Sequence, residues 1–216
     1  MCNASCVIFG ANNLLEGDIG NKRVLEVGAY NVNGSLRSII SKYHPIEYLG
    51  IDIIGGPGVD VICGIEEAVN RFGKDSFDLV VSNELLEHVK DWRLGISNIK
   101  NLVKPGGKVL ITTRSYGFAY HGYPCDYWRY EIDDMKNIFS DFEIIKLERD
   151  SQDPGVFILA KKTEKFQEKD LTSYKLFSVV AGKKIKEIFF KDYFSICYFI
   201  IVIKESLKRI FQRFIK

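Results

Sequence analysis

The chain has 216 residues, with 30 Lys and Arg against 28 Asp and Glu, 46% hydrophobic content and 27% charged content. These values exclude a disordered or fibrous protein and allow one globular domain plus extra chain. The net charge of +2 hides an asymmetry, because residues 1–160 hold 16 basic and 22 acidic side chains while residues 161–216 hold 14 and 6. An acidic body is a poor nucleic-acid surface, and no nucleic-acid partner is expected; the basic end points to contact with an anionic surface.

The body alternates strand-like and helix-like segments. KRVLEVG (22–28) is an apolar run ending in Gly, SLRSIISKY (35–43) has helical spacing, and IEYLGID (46–52) is a second strand closed by an acid. VDVIC (59–63), a helix over 65–72, the strand FDLVVS (77–82), a helix over 91–103 and the strand GKVLITT (107–113) follow. Apolar strands separated by short helices predict an α/β protein, a Rossmann-like open sandwich with a mostly parallel sheet. Next come a short helix, IDDMKNIF, and the strands FEIIKLER (142–149) and GVFILAKK (155–162), joined by a short turn. So short a connection forces antiparallel pairing, giving the sheet an antiparallel last strand.

The C-terminal part reads as a basic amphipathic helical tail. Ile196, Phe199, Ile200, Ile203, Leu207, Ile210, Phe211 and Phe214 form one helical stripe, with Lys204, Lys208, Arg209, Arg213 and Lys216 off it. The uncharged stretch between Asp192 and Lys204 is eleven residues, about 17 Å as a helix against a hydrocarbon core of about 30 Å, too short to span. Docking on the body or a second subunit, or binding through residues 166–216 to an anionic membrane surface, are the two readings. The division expected is an N-terminal segment (1–19), a catalytic domain (20–162) and the tail (163–216).

Five scattered Cys and no leader-like opening predict a reduced, cytoplasmic setting, with peripheral attachment to the inner membrane face as an option. Cys2 and Cys6 stand one helical turn apart, but no second pair completes a zinc set, and no metal is expected.

Four segments carry the chemistry: VLEVGAYNVNG (24–34), YLGID (48–52), FDLVVSNELLEHV (77–89) and LVKPGGKVLITT (102–113). In this order they resemble the class I S-adenosylmethionine-dependent methyltransferases over about residues 20–162. The NVNGS, GPGVD and DYWRY segments are most similar to a methyltransferase type 11-like subgroup. The resemblance implies S-adenosylmethionine as cofactor and a small-molecule or glycan-type acceptor. Gly28 lets the backbone pass close to a ligand lying across the sheet edge. Glu26 resembles the family acid facing the methionine amino group, or else caps neighbouring backbone N–H groups. Asp52 stands where a carboxylate takes both hydroxyls of a ribose, or else starts a turn before GGPG. Tyr30 occupies the second Gly position of the usual GxGxG, which leaves no tight turn for a dinucleotide pyrophosphate. Gly64 replaces an acid, so adenine recognition falls to backbone near Gly64 and Ile65, with Ile53 beside them. Asn83, Glu84, Glu87 and His88 follow the fourth strand and project into the crevice or pack within their short helix.

The aromatic segment 116–130 leaves the same sheet edge as the substrate loop, with Tyr120, Tyr123, Trp128 and Arg129 as acceptor contacts. Its alternative is a lid in which Asp126 and Arg129 pair with each other. For a hydroxyl acceptor, His121 is the first candidate base because free imidazole is largely neutral at pH 7, followed by Asp126 and His88. Besides a methyltransferase, the sequence admits a catalytically inactive binding or regulatory protein of the same fold. A nicotinamide-dependent oxidoreductase is disfavoured by the missing GxGxxG and the antiparallel ending.

Overall fold

The structure is a computed structural model that describes residues 3–122 and 125–214. In chain order it contains α1 (Ala4–Asn13), α2 (Glu16–Ile19), β1 (Arg23–Val27), α3 (Arg37–Ile40), β2 (Glu47–Asp52), β3 (Val61–Ile62), α4 (Ile65–Phe72) and β4 (Phe77–Asn83). There follow α5 (Trp92–Leu102), β5 (Val103–Arg114), β6 (Trp128–Arg129), α6 (Ile132–Ile138), β7 (Phe142–Arg149), β8 (Gly155–Lys162), β9 (Leu176–Ser178), β10 (Lys183–Ile185) and α7 (Ile196–Phe214). Local chemistry sets several boundaries. The Asp91 carboxylate accepts the Leu94 N–H at the start of α5, and at the start of α6 the Asp134 carboxylate accepts the Glu131 N–H.

Seven strands form one sheet in the order β3-β2-β1-β4-β5-β8-β7. All neighbours from β3 to β5 pair parallel, and β8 runs antiparallel to both β5 and β7. The strand order reverses between β1 and β4, and in an open α/β sheet the crevice outside that reversal is where ligands bind. Alternation along the strands feeds two cores: Leu25, Val27 and Val80 face α4, α5 and α6, while Val24, Leu79 and Val81 face the α1 to α3 side. The expected Rossmann-like sandwich is therefore present.

Both ends differ from the expectation. The N-terminal segment is part of the domain, because Cys6, Phe9, Leu14 and Ile19 are buried in the second core. The tail's α-helix starts only at Ile196, after a 3-10 turn over Phe190–Phe194. Before it, β9 and β10 pair with each other and β9 pairs with β6, making a three-stranded antiparallel sheet. Leu171, Leu176, Val180 and Ile188 bury themselves in the main core. The strands are three residues each and turn at Gly182, whose φ is +68°, so the Lys-rich composition masks a period too short to read. Ile200, Ile203, Leu207 and Ile210 on α7 are exposed. No described helix is long and apolar enough to cross a membrane.

Leu176 is fully buried whereas Ile203 is 42% exposed. Leu176→Ala is expected to cost about 2–5 kcal/mol in urea unfolding and Ile203→Ala about 0.5 kcal/mol or less. Equal effects would contradict the assignment of residues 163–188 to the body.

Candidate active site

A cavity of about 330 Å³ opens at the carboxyl ends of β1, β2 and β4, a volume that suits a small ligand. Gly28 closes β1 with φ +79°, and a Cβ there would lie 3.1 Å from the Leu85 side chain. The Gly28 and Ala29 N–H groups both donate to the Ile51 carbonyl, at 2.9 and 3.0 Å, which folds the chain back beside β2. All nine predicted cofactor residues lie in the cavity wall: Glu26, Gly28, Tyr30, Asp52 and Ile53 on one side, and Gly64, Ile65, Asn83 and Glu84 around it.

Glu26 is 3% exposed and accepts hydrogen bonds from Ser35 Oγ at 3.1 Å and Tyr48 Oη at 2.7 Å. Its partners are thus hydroxyls, not the backbone N–H groups of the alternative reading. Burial pushes its carboxyl above the usual range, against those two hydrogen bonds. Asp52 accepts the Tyr30 N–H at 3.2 Å through Oδ2 and the Ile54 N–H at 3.1 Å through Oδ1. It both shapes its turn and lines the cavity.

After β4, Glu84 takes a left-handed conformation, φ +53°, costing about 1–2 kcal/mol for a residue with a Cβ. An ion pair with Arg114 and the bond from its N–H to the Thr112 carbonyl hold it there. Asn83 Oδ1 accepts from Thr112 Oγ1, while its Nδ2, buried at the cavity wall, makes no hydrogen bond.

The predicted catalytic residues assemble, with altered roles. His88 and His121 line the cavity with their rings edge-to-face, centroids 4.8 Å apart. His121 Nδ1 lies 2.9 Å from Asp126 Oδ2 and its Nε2 lies 3.5 Å from Glu87 Oε1, ion-pair distances with the ring turned out of hydrogen-bond alignment. Burial opposes the imidazolium, but the two carboxylates outweigh it and hold the His121 pKa up at about 9. The expected neutral base at pH 7 is therefore corrected to a charged group. Asp126 is fully buried and forked by Arg129, at 2.5 and 2.7 Å, so it positions His121 and does not reach an acceptor.

Two predicted substrate contacts are corrected as well. Trp128 is fully buried with its indole N–H shared between the Val89 and Lys90 carbonyls, both at 3.1 Å, and Arg129 is 2% exposed. The Asp126–Arg129 pair of the alternative reading is present. Tyr120 is half-buried and outside the cavity wall, and Tyr123 lies outside the described residues.

The profile of a family described as "Methyltransferase domain" matches residues 11–150. The chain belongs to that family. Among curated relatives, a mitochondrial ubiquinone biosynthesis O-methyltransferase from Rattus norvegicus is 38% identical over 52 residues, 24% of this chain and 15% of that protein. Phosphoethanolamine N-methyltransferase 2 from Caenorhabditis elegans is 41% identical over 51 residues, 24% of this chain and 12% of that protein. The chain thus matches only a small part of those relatives. Among solved structures, 1,6-didemethyltoxoflavin-N1-methyltransferase from Burkholderia thailandensis, solved with S-adenosylhomocysteine, has a TM-score of 0.57 at 16% identity. That similarity covers 74% of this chain and 77% of the other. A methyltransferase from Mesorhizobium loti scores 0.55 at 18% identity, over 74% of this chain and 99% of the other.

The family match begins at residue 11, inside α1, in keeping with the burial of the N-terminal segment in the methyltransferase domain. The sequence reading missed Ser35 and Tyr48 as holders of Glu26, Arg114 as the partner of Glu84, and Tyr127 and Lys90 in the cavity wall. Each comes from a strand or loop remote from the motif it serves, and only Ser35, next to Gly34, left a local signal. Arg129→Ala would strip the fully buried Asp126 of its two-pronged partner and leave it only His121, so it is expected to cost about 3 kcal/mol in urea unfolding. A change under about 1 kcal/mol would contradict the structural role given to Arg129.

Proposed function

We propose that this methyltransferase-domain protein uses S-adenosylmethionine to methylate a small-molecule acceptor bound beneath the 115–127 loop. The observation that carries the reading is the electrostatics of the crevice at the strand reversal. Glu26, Asp52 and Glu66 line its strand-end side, with the cations Lys90 and His121 at the other end, and no helix starts until Arg37 after the β1 glycine. The acidic end of this crevice favours a cation, and the loop after the β1 glycine, where a dinucleotide pyrophosphate would sit, offers it no helix N-terminus. S-adenosylmethionine supplies an activated methyl sulfonium whose leaving group is a neutral thioether, so no acid is needed there. The chain's part is alignment and exclusion of water.

In this reading Glu26 takes the ammonium of the methionine moiety, Asp52 the ribose hydroxyls, and Gly64 and Ile65 border the adenine. The unpartnered Asn83 Nδ2 is a donor for the methionine end or the acceptor. His88, His121 and Tyr127 mark the acceptor end of the crevice. The NVNGS, GPGVD and DYWRY segments support placement in the type 11-like subgroup.

Exposed Ile196, Phe199, Ile200 and Ile203 on α7, in a segment that also carries Lys204, Lys208 and Arg209, favour attachment of the C-terminal helix to an anionic membrane surface. Co-sedimentation with anionic liposomes is expected to fall with rising salt and with removal of residues 196–216. Binding indifferent to both would remove this attachment.

Glu26 gives the sharpest test of the cofactor reading. Burial raises its pKa, so the free protein takes up a proton there as pH falls, whereas a bound ammonium favours the carboxylate. Calorimetric titration is expected to show affinity for S-adenosylmethionine weakening as pH falls through that raised pKa. Glu26→Gln should weaken binding about tenfold at pH 7 and flatten this dependence. The linked effect on the free fold has the opposite sense: a raised carboxyl pKa means stability is gained as pH falls through it, and the Gln variant lacks that gain. Unchanged affinity and unchanged pH dependence in Glu26→Gln would contradict its role.

A further inference from the structure

We propose that Glu87, His88 and His121 form a binding site for one divalent first-row transition-metal cation at the acceptor end of the crevice. One ligand atom from each lies within 4.8 Å of the others. Glu87 Oε1 stands 4.0 Å from His88 Nε2 and 3.5 Å from His121 Nε2. An ion with bonds of about 2.1 Å sets tetrahedral ligands about 3.4 Å apart, so small side-chain shifts close the set.

The cluster is held from outside as a metal site is. The Nδ1 atom of His88 lies 2.7 Å from the Cys125 carbonyl, which only accepts; Nδ1 therefore carries the hydrogen and Nε2 turns inward with its lone pair. His121 Nδ1 is backed by the Asp126 carboxylate, which Arg129 fixes in turn, and the incoming cation displaces the proton from Nε2 to solvent. On Glu87, Oε2 accepts from Thr113 Oγ1 at 2.8 Å, leaving Oε1 for the cluster. Glu87 and His88 thus each have one atom pinned by an outer partner, and His121 has a fixed carboxylate beside its outer nitrogen, leaving one atom of each for the cluster, as in the outer shells that orient metal-binding imidazoles and carboxylates.

Two of the inward atoms also lack hydrogen bonds, although they face each other at 3.5 Å. Glu87 is fully buried, and its Oε1 and His121 Nε2 make no hydrogen bond. Buried polar atoms without partners are rare in native proteins, and a missing ion is a recognised cause. The donor set of two imidazoles and one carboxylate suits zinc, cobalt, iron or manganese and disfavours magnesium and calcium. Glu84, four positions from His88, is not a ligand, since Arg114 takes it.

Both histidines line the cavity, so the remaining coordination positions open into it. An oxygen donor of the acceptor, a hydroxylate or carboxylate, is the chemistry those positions would hold. That last step rests on the methyl-transfer reading; the ion site itself does not.

The test uses tag-free full-length protein stripped with chelator, titrated with Co²⁺ alone and followed by calorimetry and by the visible ligand-field spectrum. About one equivalent should bind, with a spectrum of imidazole coordination. His88→Ala and His121→Ala should each weaken binding at least about tenfold and alter the spectrum. His44→Ala, at an exposed turn remote from the crevice, should leave both unchanged. Glu87→Gln should weaken binding similarly; because Glu87 is fully buried, the two partly exposed histidines decide the matter if that variant does not fold. No binding, or binding equal in the wild type and both crevice histidine variants, would overturn the site. Cobalt binding without S-adenosylmethionine binding would keep the site and remove the methyl-transfer reading.

Discussion

Buried carboxylates that must be partnered organise the carboxyl-terminal edge of this sheet. Leaving an ion unpaired in a protein interior costs several kcal/mol, and four acids stand there: Glu26, Glu84, Glu87 and Asp126. Each draws in a distant element. Glu26 takes Tyr48 from β2 and Ser35 from the loop; Glu84 takes Arg114, which reaches on to Asp150 at the end of β7. Cys6 of α1 approaches Glu84 at 3.5 Å, which ties the N-terminal helix to the same edge. Asp126, clamped by Arg129, brings His121 of the aromatic loop against Glu87. The shape of the crevice follows from charge satisfaction laid over a fold whose core would close without it.

The sequence disclosed the fold because its signals are short-range: apolar runs of five to eight residues, glycines and acids at their ends, and helix starts marked by Asp91 and by the Glu131–Asp134 pair. The same holds for the nine predicted cofactor residues in the cavity wall, which lie at or shortly after the ends of strands that are readable. What stayed hidden is long-range. His88 and His121 are separated by a loop that no spacing rule links, so their convergence on Glu87 had no signature. The charge on His121 likewise depends on two carboxylates brought there by packing, and a reference pKa could not anticipate it. Trp128 and Arg129 misled because an aromatic, basic loop segment looks like a pocket lining; the indole N–H and guanidinium instead satisfy buried carbonyls and Asp126.

The C-terminal segment has two characters. Residues up to Ile188 complete the body, with β9 extending the small sheet from β6 and Arg93 donating to the Leu171, Tyr174 and Lys186 carbonyls. Beyond it, Tyr193 stacks edge-to-face with Tyr198, and Lys90 of the crevice wall lies over the Tyr193 ring at 5.8 Å. The base of α7 therefore adjoins the crevice mouth while its apolar stripe faces outward. This placement puts the exposed Ile196 and Phe199 near the crevice opening.

The account centres on a nucleoside sulfonium held across the strand reversal by Glu26, Gly28 and Asp52. A crystal structure grown with S-adenosylhomocysteine tests this most directly. The account predicts the ribose on Asp52, the amino group on Glu26 and the sulfur facing His88 and His121. Absence of the ligand from a crystal grown at saturating concentration, or its binding elsewhere on the molecule, would contradict it.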